Sequence, residues 1–208
     1  MSILVIESQS FPCVDYFKRV IKSKHVKIEQ FDAFQKMSFR NRYVIAGANG
    51  LVNLTIPVVG GREQKSLIQE VEIDYSNDWP TKHWRTIVSS YSKSPFFDYY
   101  AKQIEKLLFS NEKKLFTFNV NIIIFLFNAL KINALLDFTT DFIRIYEGSE
   151  DCRGLFLPKN FQKDTEDWKP KYAQVFEDRL GFQSNLSILD LLFCEGPNTI
   201  HLLHSTIK

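Results

Sequence analysis

The feature that most constrains the fold is the opening of the chain, where a strand, a helix and a second strand are predicted within residues 3–29. Residues 3–6 form a continuous apolar run, Ile-Leu-Val-Ile, which is typical of a strand that is buried on both faces of a sheet. Val14, Phe17 and Ile21 then fall at helical spacing, and residues 26–29 alternate as a strand does. Because two parallel strands need a crossover between them, the pattern predicts an α/β fold.

Later segments predict antiparallel strands and then helices. Residues 42–45 and 51–56 flank an Asn49-Gly50 pair, which is a strong hairpin signal, and a further strand is predicted at 71–74. Helical patterns are predicted from Trp79, over 96–109, over 115–136, and over 186–200 with a stop at 196–197. We therefore predict a βαβ opening with a mixed sheet, followed by a mainly helical middle and C-terminal part. The expected organisation is a single domain over residues 1–208 with a flexible loop at 149–169, a polar stretch.

Composition excludes several classes of protein. The net charge of +2 and the lack of a basic stripe argue against a nucleic-acid partner. The three cysteines, Cys13, Cys152 and Cys194, are far apart, which favours free thiols in a reducing cytoplasm over a zinc site or disulfides. Asparagines and Lys131 interrupt the apolar stretch 115–136, so a buried helix is expected there and not a membrane span.

The densest cationic cluster consists of Lys36, Arg40 and Arg42. Three cations within seven residues, beside a predicted hairpin strand, suit a phosphate or a carboxylate, since guanidinium groups bind both with planar geometry. The alternative is a solvated edge on which the arginines pair with acidic residues: Glu29, Asp32 or Asp74.

His83 is the best candidate for general acid or base work, since an unperturbed imidazole titrates near neutrality. It lies on the helix predicted from Trp79, next to Trp84 on the core face. A single histidine on a helix is more often a hydrogen-bonded structural residue, so both roles stay open.

A third candidate region is the loop after the first strand, residues 7–10, because ligands gather beyond the carboxyl ends of parallel strands. Gln9 lies in this loop. Asp190, within an apolar helix, has three possible roles: it caps the helix, pairs with an arginine or faces the site. The sequence contains no GxGxxG, GxxxxGK[ST] or GxSxG motif, so it identifies no cofactor and does not indicate a serine hydrolase.

The chain resembles the WbqC-like protein family in the order and spacing of many short segments. The resemblance covers nearly the whole chain except the polar loop around 149–169. After the first strand, the matching segments are 28–30, 34–36, 39–46, 48–50, 54–58, 77–79, 83–84, 94–97, 172–176, 186–193 and 196–197.

Such proteins are similar to ones found in bacterial surface-polysaccharide (O-antigen-type) gene clusters. The resemblance thus implies a cytoplasmic protein that makes or modifies activated sugars, as a transferase acting on a sugar, acyl or aminoacyl donor. In that interpretation Lys36, Arg40 and Arg42 bind the phosphates of a small, nucleotide-linked substrate, His83 acts as base, and Gln9 and Asn41 orient the substrate. The alternative is a non-catalytic module that binds a glycan or a partner protein.

Overall fold

The computed structural model describes residues 3–61, 65–144, 146–162 and 171–205. Its elements are β1 (Ile3–Glu7), α1 (Val14–Lys22), β2 (His25–Glu29), β3 (Arg42–Gly47), β4 (Gly50–Thr55), α2 (Trp79–Tyr91), α3 (Phe97–Leu108), α4 (Leu115–Ala129), β5 (Leu135–Phe138), β6 (Ser149–Asp151), α5 (Glu177–Leu180), α6 (Ile188–Glu195) and α7 (Thr199–His204). Short 3-10 turns occupy Phe39–Asn41, Ile68–Glu70 and Gly196–Asn198. The α/β fold and its strand-helix-strand opening are thereby confirmed.

Four parallel strands form the main sheet, in the order β5-β2-β1-β6. Leu4, Val5 and Ile6 of β1 are consecutive and all fully buried. Since successive side chains of a strand point to opposite faces, both faces of the sheet are covered at β1. This explains why the opening run is apolar without alternation.

The strand order reverses at β1. The strands β2 and β5 lie on one side of it, whereas β6 lies on the other. Glu7 ends β1 and is the register partner of Glu29, which ends β2. In doubly wound sheets, ligands bind outside the carboxyl ends of the strands at such a reversal, so this edge positions the candidate site.

The antiparallel strands form a two-stranded sheet separate from the parallel one, so the mixed strand arrangement is distributed over two sheets. β3 and β4 pair from Arg42↔Thr55 to Gly47↔Gly50, as the Asn49-Gly50 signal predicts. The hairpin is tied to the C-terminal part of the chain, because Ser187 N donates to the Val44 carbonyl at 2.8 Å. The hairpin therefore has a fixed place in the fold, and so has the 3-10 turn Phe39–Asn41 that directly precedes β3.

The helix predicted over 115–136 is shorter than expected. α4 ends at Ala129, Lys131 adopts a left-handed φ of 54°, and Ile132 N donates to the Phe127 carbonyl at 2.9 Å. The chain then enters β5, which begins at Leu135. Among the described residues, no helix combines the length and the apolar character that crossing a membrane would require.

Three other predictions need correction or refinement. The strand predicted at 71–74 consists only of isolated bridges, Val58↔Ile73 and Glu72↔Lys114. The helix predicted over 186–200 is divided into α6 and α7 by the 3-10 turn at Gly196, where the stop was predicted. The predicted loop 149–169 begins as β6, and its residues 163–169 lie outside the described part of the chain, so its flexibility stays a prediction.

Candidate active site at the carboxyl edge of the parallel sheet

The loop that follows β1 is polar and yet buried. Glu7, Ser8, Gln9 and Ser10 are each at most 2% exposed. Ser10 N donates to the Phe39 carbonyl at 3.0 Å, which attaches the loop to the 3-10 turn before β3. Since burying polar groups is unfavourable without hydrogen bonds, the fold must supply partners for this loop or leave them for a ligand.

The Glu7 carboxylate is held in place by the loop after β1 and by the loop after β6. Its Oε1 accepts from Gln9 Nε2 at 2.8 Å, and its Oε2 accepts from Gly154 N at 2.7 Å. Gln9 Nε2 also lies 3.3 Å from the Phe156 carbonyl, so the loop after β6 closes over the end of β1. Burial raises the pKa of the Glu7 carboxyl, while the nearby Arg40 and the two hydrogen bonds act in the opposite direction.

Arg40 brings a permanent cation into the same region. It is 1% exposed, and its Nη2 forms an ion pair with Asp32. Its carbonyl accepts from Asn119 Nδ2 at 2.7 Å and lies 2.9 Å from the Ser10 hydroxyl, so its backbone is fixed by α4 and by the loop after β1. The 3-10 turn that carries Arg40 is thereby anchored beside the loop after β1.

Four buried polar atoms in this region have no hydrogen-bond partner in the described part of the chain: Ser8 Oγ, Gln9 Oε1, Arg40 Nε and Arg40 Nη1. We call Glu7, Ser8, Gln9 and Arg40 the β1-edge cluster. Buried polar atoms are nearly always paired in folded proteins, and an unpaired one costs about 1–3 kcal/mol. The remaining unpaired atoms, His25 Nε2, Arg42 Nε and Trp79 Nε1, belong to three different elements. Unused hydrogen-bonding capacity is thus concentrated at the carboxyl edge of β1.

A second buried network lies beside the cluster at the end of β2. Glu29 accepts from Thr139 Oγ1 at 2.9 Å, Phe31 N at 2.8 Å and Arg153 Nη1 at 2.9 Å. Arg153 also pairs with Asp151, at 2.6 Å from Nη2 to Oδ2. These contacts connect the ends of β2, β5 and β6. Arg153 is thereby paired with two carboxylates of this network, whereas Arg40 of the cluster is paired with Asp32.

Of the residues predicted to bind the substrate, Gln9 and Arg40 belong to the cluster. Asn41 donates from Nδ2 to the Ile56 carbonyl at 2.8 Å and so positions the turn against the end of β4. Arg42 points toward the Met37 side chain, 4.0 Å from its sulfur, and Lys36 is exposed. The three cations of the sequence motif therefore do not converge, because consecutive residues of the turn and strand point in different directions.

His83 lies in a different environment. Its Nδ1 is 3.0 Å from the Tyr43 hydroxyl, its ring is hydrogen-bonded to the Thr55 backbone, and Trp79 packs against its edge at 5.0 Å between ring centroids. Burial lowers the pKa of His83 to about 4, so the ring is neutral near neutral pH. The His83 ring is thus held between α2 and the hairpin, and its contacts are separate from those of the β1-edge cluster.

Asp190 is also enclosed by its own partners. It accepts hydrogen bonds from the Tyr91 hydroxyl at 2.8 Å, the Tyr172 hydroxyl at 2.6 Å and Gln174 Nε2 at 2.8 Å. Burial raises the pKa of this carboxyl, and the three hydrogen bonds lower it. Asp190 thus joins α2, the segment 172–174 and α6, and its contacts are separate from those of the β1-edge cluster.

Glu7, Ser8, Asn119 and Arg153 had no individual role in the sequence-based predictions, whereas the ion pair of Arg40 with Asp32 is one of the pairings that the alternative of a solvated edge named. For Glu7 a usable signal existed, since it is the first charged residue after a fully apolar strand. For Arg153 none existed, because its partner Glu29 is 124 positions away in the sequence. The described residues contain no group of three or more histidine, cysteine or acidic side chains that could hold a metal ion.

Comparison with known proteins identifies a family for this chain. The model of the WbqC-like protein family matches residues 7–165, which include the whole β1-edge cluster and the Arg153 network. Searches of curated proteins and of solved structures gave no significant match.

Proposed function

Since the chain belongs to the WbqC-like protein family, we propose that it is a cytoplasmic transferase of bacterial surface-polysaccharide synthesis. Its substrate is an activated sugar or an acyl or aminoacyl donor, and this substrate lies at the carboxyl edge of β1. The resemblance of the sequence to proteins of polysaccharide gene clusters supports the pathway. Three buried free thiols are consistent with a reducing compartment.

The observation that carries the proposal is the set of unpaired polar atoms in the β1-edge cluster. Arg40 can donate charge-assisted hydrogen bonds to a phosphate or carboxylate oxygen, and such bonds are stronger than those between neutral groups. Ser8 Oγ both donates and accepts, and Gln9 Oε1 accepts from a hydroxyl or amide. An activated sugar carries all of these groups on one small molecule, and its binding would satisfy atoms that the fold leaves unpaired.

Calorimetric titration with UDP-glucose and with acetyl coenzyme A tests the proposal. We expect at least one donor to bind, and the S8A variant to weaken its binding roughly three- to tenfold, because one hydrogen bond contributes about 0.5–1.5 kcal/mol. S89A is the matched control, since the Ser89 hydroxyl on α2 bonds within its own helix to the Thr86 carbonyl at 2.9 Å. Failure of both donors to bind, or equal binding by wild type and S8A, would contradict the proposal.

A second candidate function is a non-catalytic glycan-binding module, which a groove of about 760 Å³ between α3, α4 and α7 favours. Tyr99 lies on its rim and is 73% exposed, an arrangement in which an aromatic ring can stack on a sugar. Amide side chains of Gln103 and Asn128 also line it. Binding of maltohexaose that Y99A abolishes and S8A leaves unchanged would favour this candidate over the transferase.

A further inference from the structure

Before any ligand binds, the guanidinium of Arg40 already has two carboxyl groups in its surroundings, those of Asp32 and Glu7. Arg40 forms an ion pair with Asp32 and interacts electrostatically with Glu7. The neighbouring Glu29 has Arg153 as its own partner. A bound phosphate or carboxylate would therefore place a third negative group around one guanidinium. In a buried site, where charges are poorly screened, this repulsion is strong unless one carboxylate becomes neutral.

Glu7 has the surroundings that allow it to become neutral. Asp32 keeps its ion pair with Arg40, and Glu29 keeps its three hydrogen-bond donors. Protonated Glu7 needs one acceptor for its new proton. Gln9 Oε1 is unpaired, and rotation of the Gln9 amide would turn this oxygen toward Glu7 Oε1 in exchange for the long 3.3 Å contact of Nε2 with the Phe156 carbonyl. The cluster can thus accommodate both forms of the Glu7 carboxyl.

We infer that an anionic ligand enters this site together with one proton, and that Glu7 carries that proton. The inference rests on the proposed function, because it assumes that the donor binds at Arg40. It adds that the site selects anionic donors in a pH-dependent manner, with tighter binding as the pH falls. It also places a protonated carboxylic acid beside the bound anion, where it can donate a hydrogen bond.

The other titratable groups that face Glu7 do not compete for the proton. The Tyr16 hydroxyl donates to the Glu7 carbonyl at 3.0 Å, and burial raises its pKa well above the usual value. Burial raises the pKa of Cys152 to about 12. Both groups are neutral near neutral pH and stay neutral when an anion arrives. For Glu7, burial already raises the pKa, and a nearby anion would raise it further.

The test is calorimetric titration of the full chain with UDP-glucose at about pH 6, 7 and 8, in two buffers of different ionisation enthalpy. The diphosphate of this probe does not titrate in the interval. For wild type we expect uptake of up to one proton and an affinity that falls by up to about tenfold per pH unit. For E7Q we expect no uptake and a flat pH profile, since a neutral amide stands in for the protonated acid.

E7Q should fold, because each part of the new amide has a partner. Its oxygen can accept from Gly154 N, and its NH₂ group can donate to Oε1 of the rotated Gln9 amide. Thermal unfolding of the variant checks this. E150Q is the matched control, since Glu150 lies on β6 beside Arg19 and should keep the proton uptake. Binding of UDP-glucose without proton uptake, or with uptake that persists in E7Q, would overturn the inference while leaving the proposed function intact. No binding of UDP-glucose at any pH would also overturn the inference, and the proposed function would fall with it only if acetyl coenzyme A failed to bind too.

Discussion

Ser8 and Ser10 lie two residues apart and are both buried, but only Ser10 has hydrogen-bond partners for its side chain in the described part of the chain. Ser10 Oγ lies 2.7 Å from Asn119 Oδ1 and 2.9 Å from the Arg40 carbonyl, whereas Ser8 Oγ has no partner among the described residues. We expect S10A to lower the free energy of unfolding by about 1–3 kcal/mol, because it leaves Asn119 Oδ1 without this donor. S8A should leave it unchanged or raise it slightly. Urea unfolding of both variants measures the difference, and equal losses would contradict it.

His83 makes a prediction about stability and pH. Its pKa is lowered from 6.5 to about 4 by burial, so the unfolded chain binds more protons than the folded chain between these values. The contribution of the neutral ring is therefore fully present above about pH 6.5 and is lost as the pH falls toward 4. We expect a loss on the order of 1–3 kcal/mol over this interval. H83Q, which cannot titrate, should show a shallower decline in urea unfolding at the same pH values; an identical slope would be the contrary result.

At the level of elements, the junction between α6 and α7 depends on one glycine. Gly196 has a φ of 52°, and a Cβ built there would lie 2.4 Å from the Phe96 ring. An alanine must therefore accept a strained backbone and also displace a packed aromatic side chain. We expect G196A to lower the free energy of unfolding by more than about 2 kcal/mol, measured by urea unfolding.

Gly181 is the matched control for that prediction. It follows α5 with a φ of 67°, and a Cβ there would meet no atom within 4 Å. G181A should cost about 1 kcal/mol from backbone strain alone. If G181A proved as destabilising as G196A, the contact with Phe96 would not be the reason for the glycine at 196.

The elements that could be predicted are those whose pattern is set by their own residues. β1, α1 and the β3–β4 hairpin follow from an apolar run, a helical spacing and an Asn-Gly turn. β5 could not be separated from α4, because Leu135 and Leu136 continue the same apolar stretch past the end of the helix. β6 is Ser-Glu-Asp, and only its pairing with β1 makes it a strand. Its existence depends on contacts far along the chain.

At the scale of the whole molecule, the same limit applies to the candidate site. The position of residues 7–10 beyond a strand end could be predicted from a general property of parallel sheets. The contacts that define the site could not, since Glu7 meets Gly154 across 147 positions and Ser10 meets Asn119 across 109. His83 and Arg42 were selected for their chemistry, yet the fold directs both side chains to other partners. Residue type indicates the chemistry that is available, and tertiary structure decides where it is used.

Arg153 holds the ends of the parallel strands together, and its removal tests how the molecule is assembled. It pairs with Glu29 at the end of β2 and with Asp151 at the end of β6, while the rings of Phe142 and Tyr146 lie 5.4 Å and 5.0 Å from its guanidinium carbon. R153A would leave the fully buried Glu29 carboxylate without its cation. Because Glu29 keeps two other donors, we expect a loss of about 2–4 kcal/mol in the free energy of unfolding.

K114A is the control for this prediction, since Lys114 and Glu72 form an exposed pair at 2.9 Å whose loss should leave stability almost unchanged. R153K should fall between wild type and R153A, because lysine keeps the charge but cannot bond both carboxylates with one planar group.

Hydrogen exchange would show where in the sheet the stability is lost. R153A should lose amide protection first in β6, which is three residues long and pairs only with β1 among the described strands. Uniform loss of protection across the sheet would instead mean that Arg153 contributes to the core as a whole and does not fasten this edge.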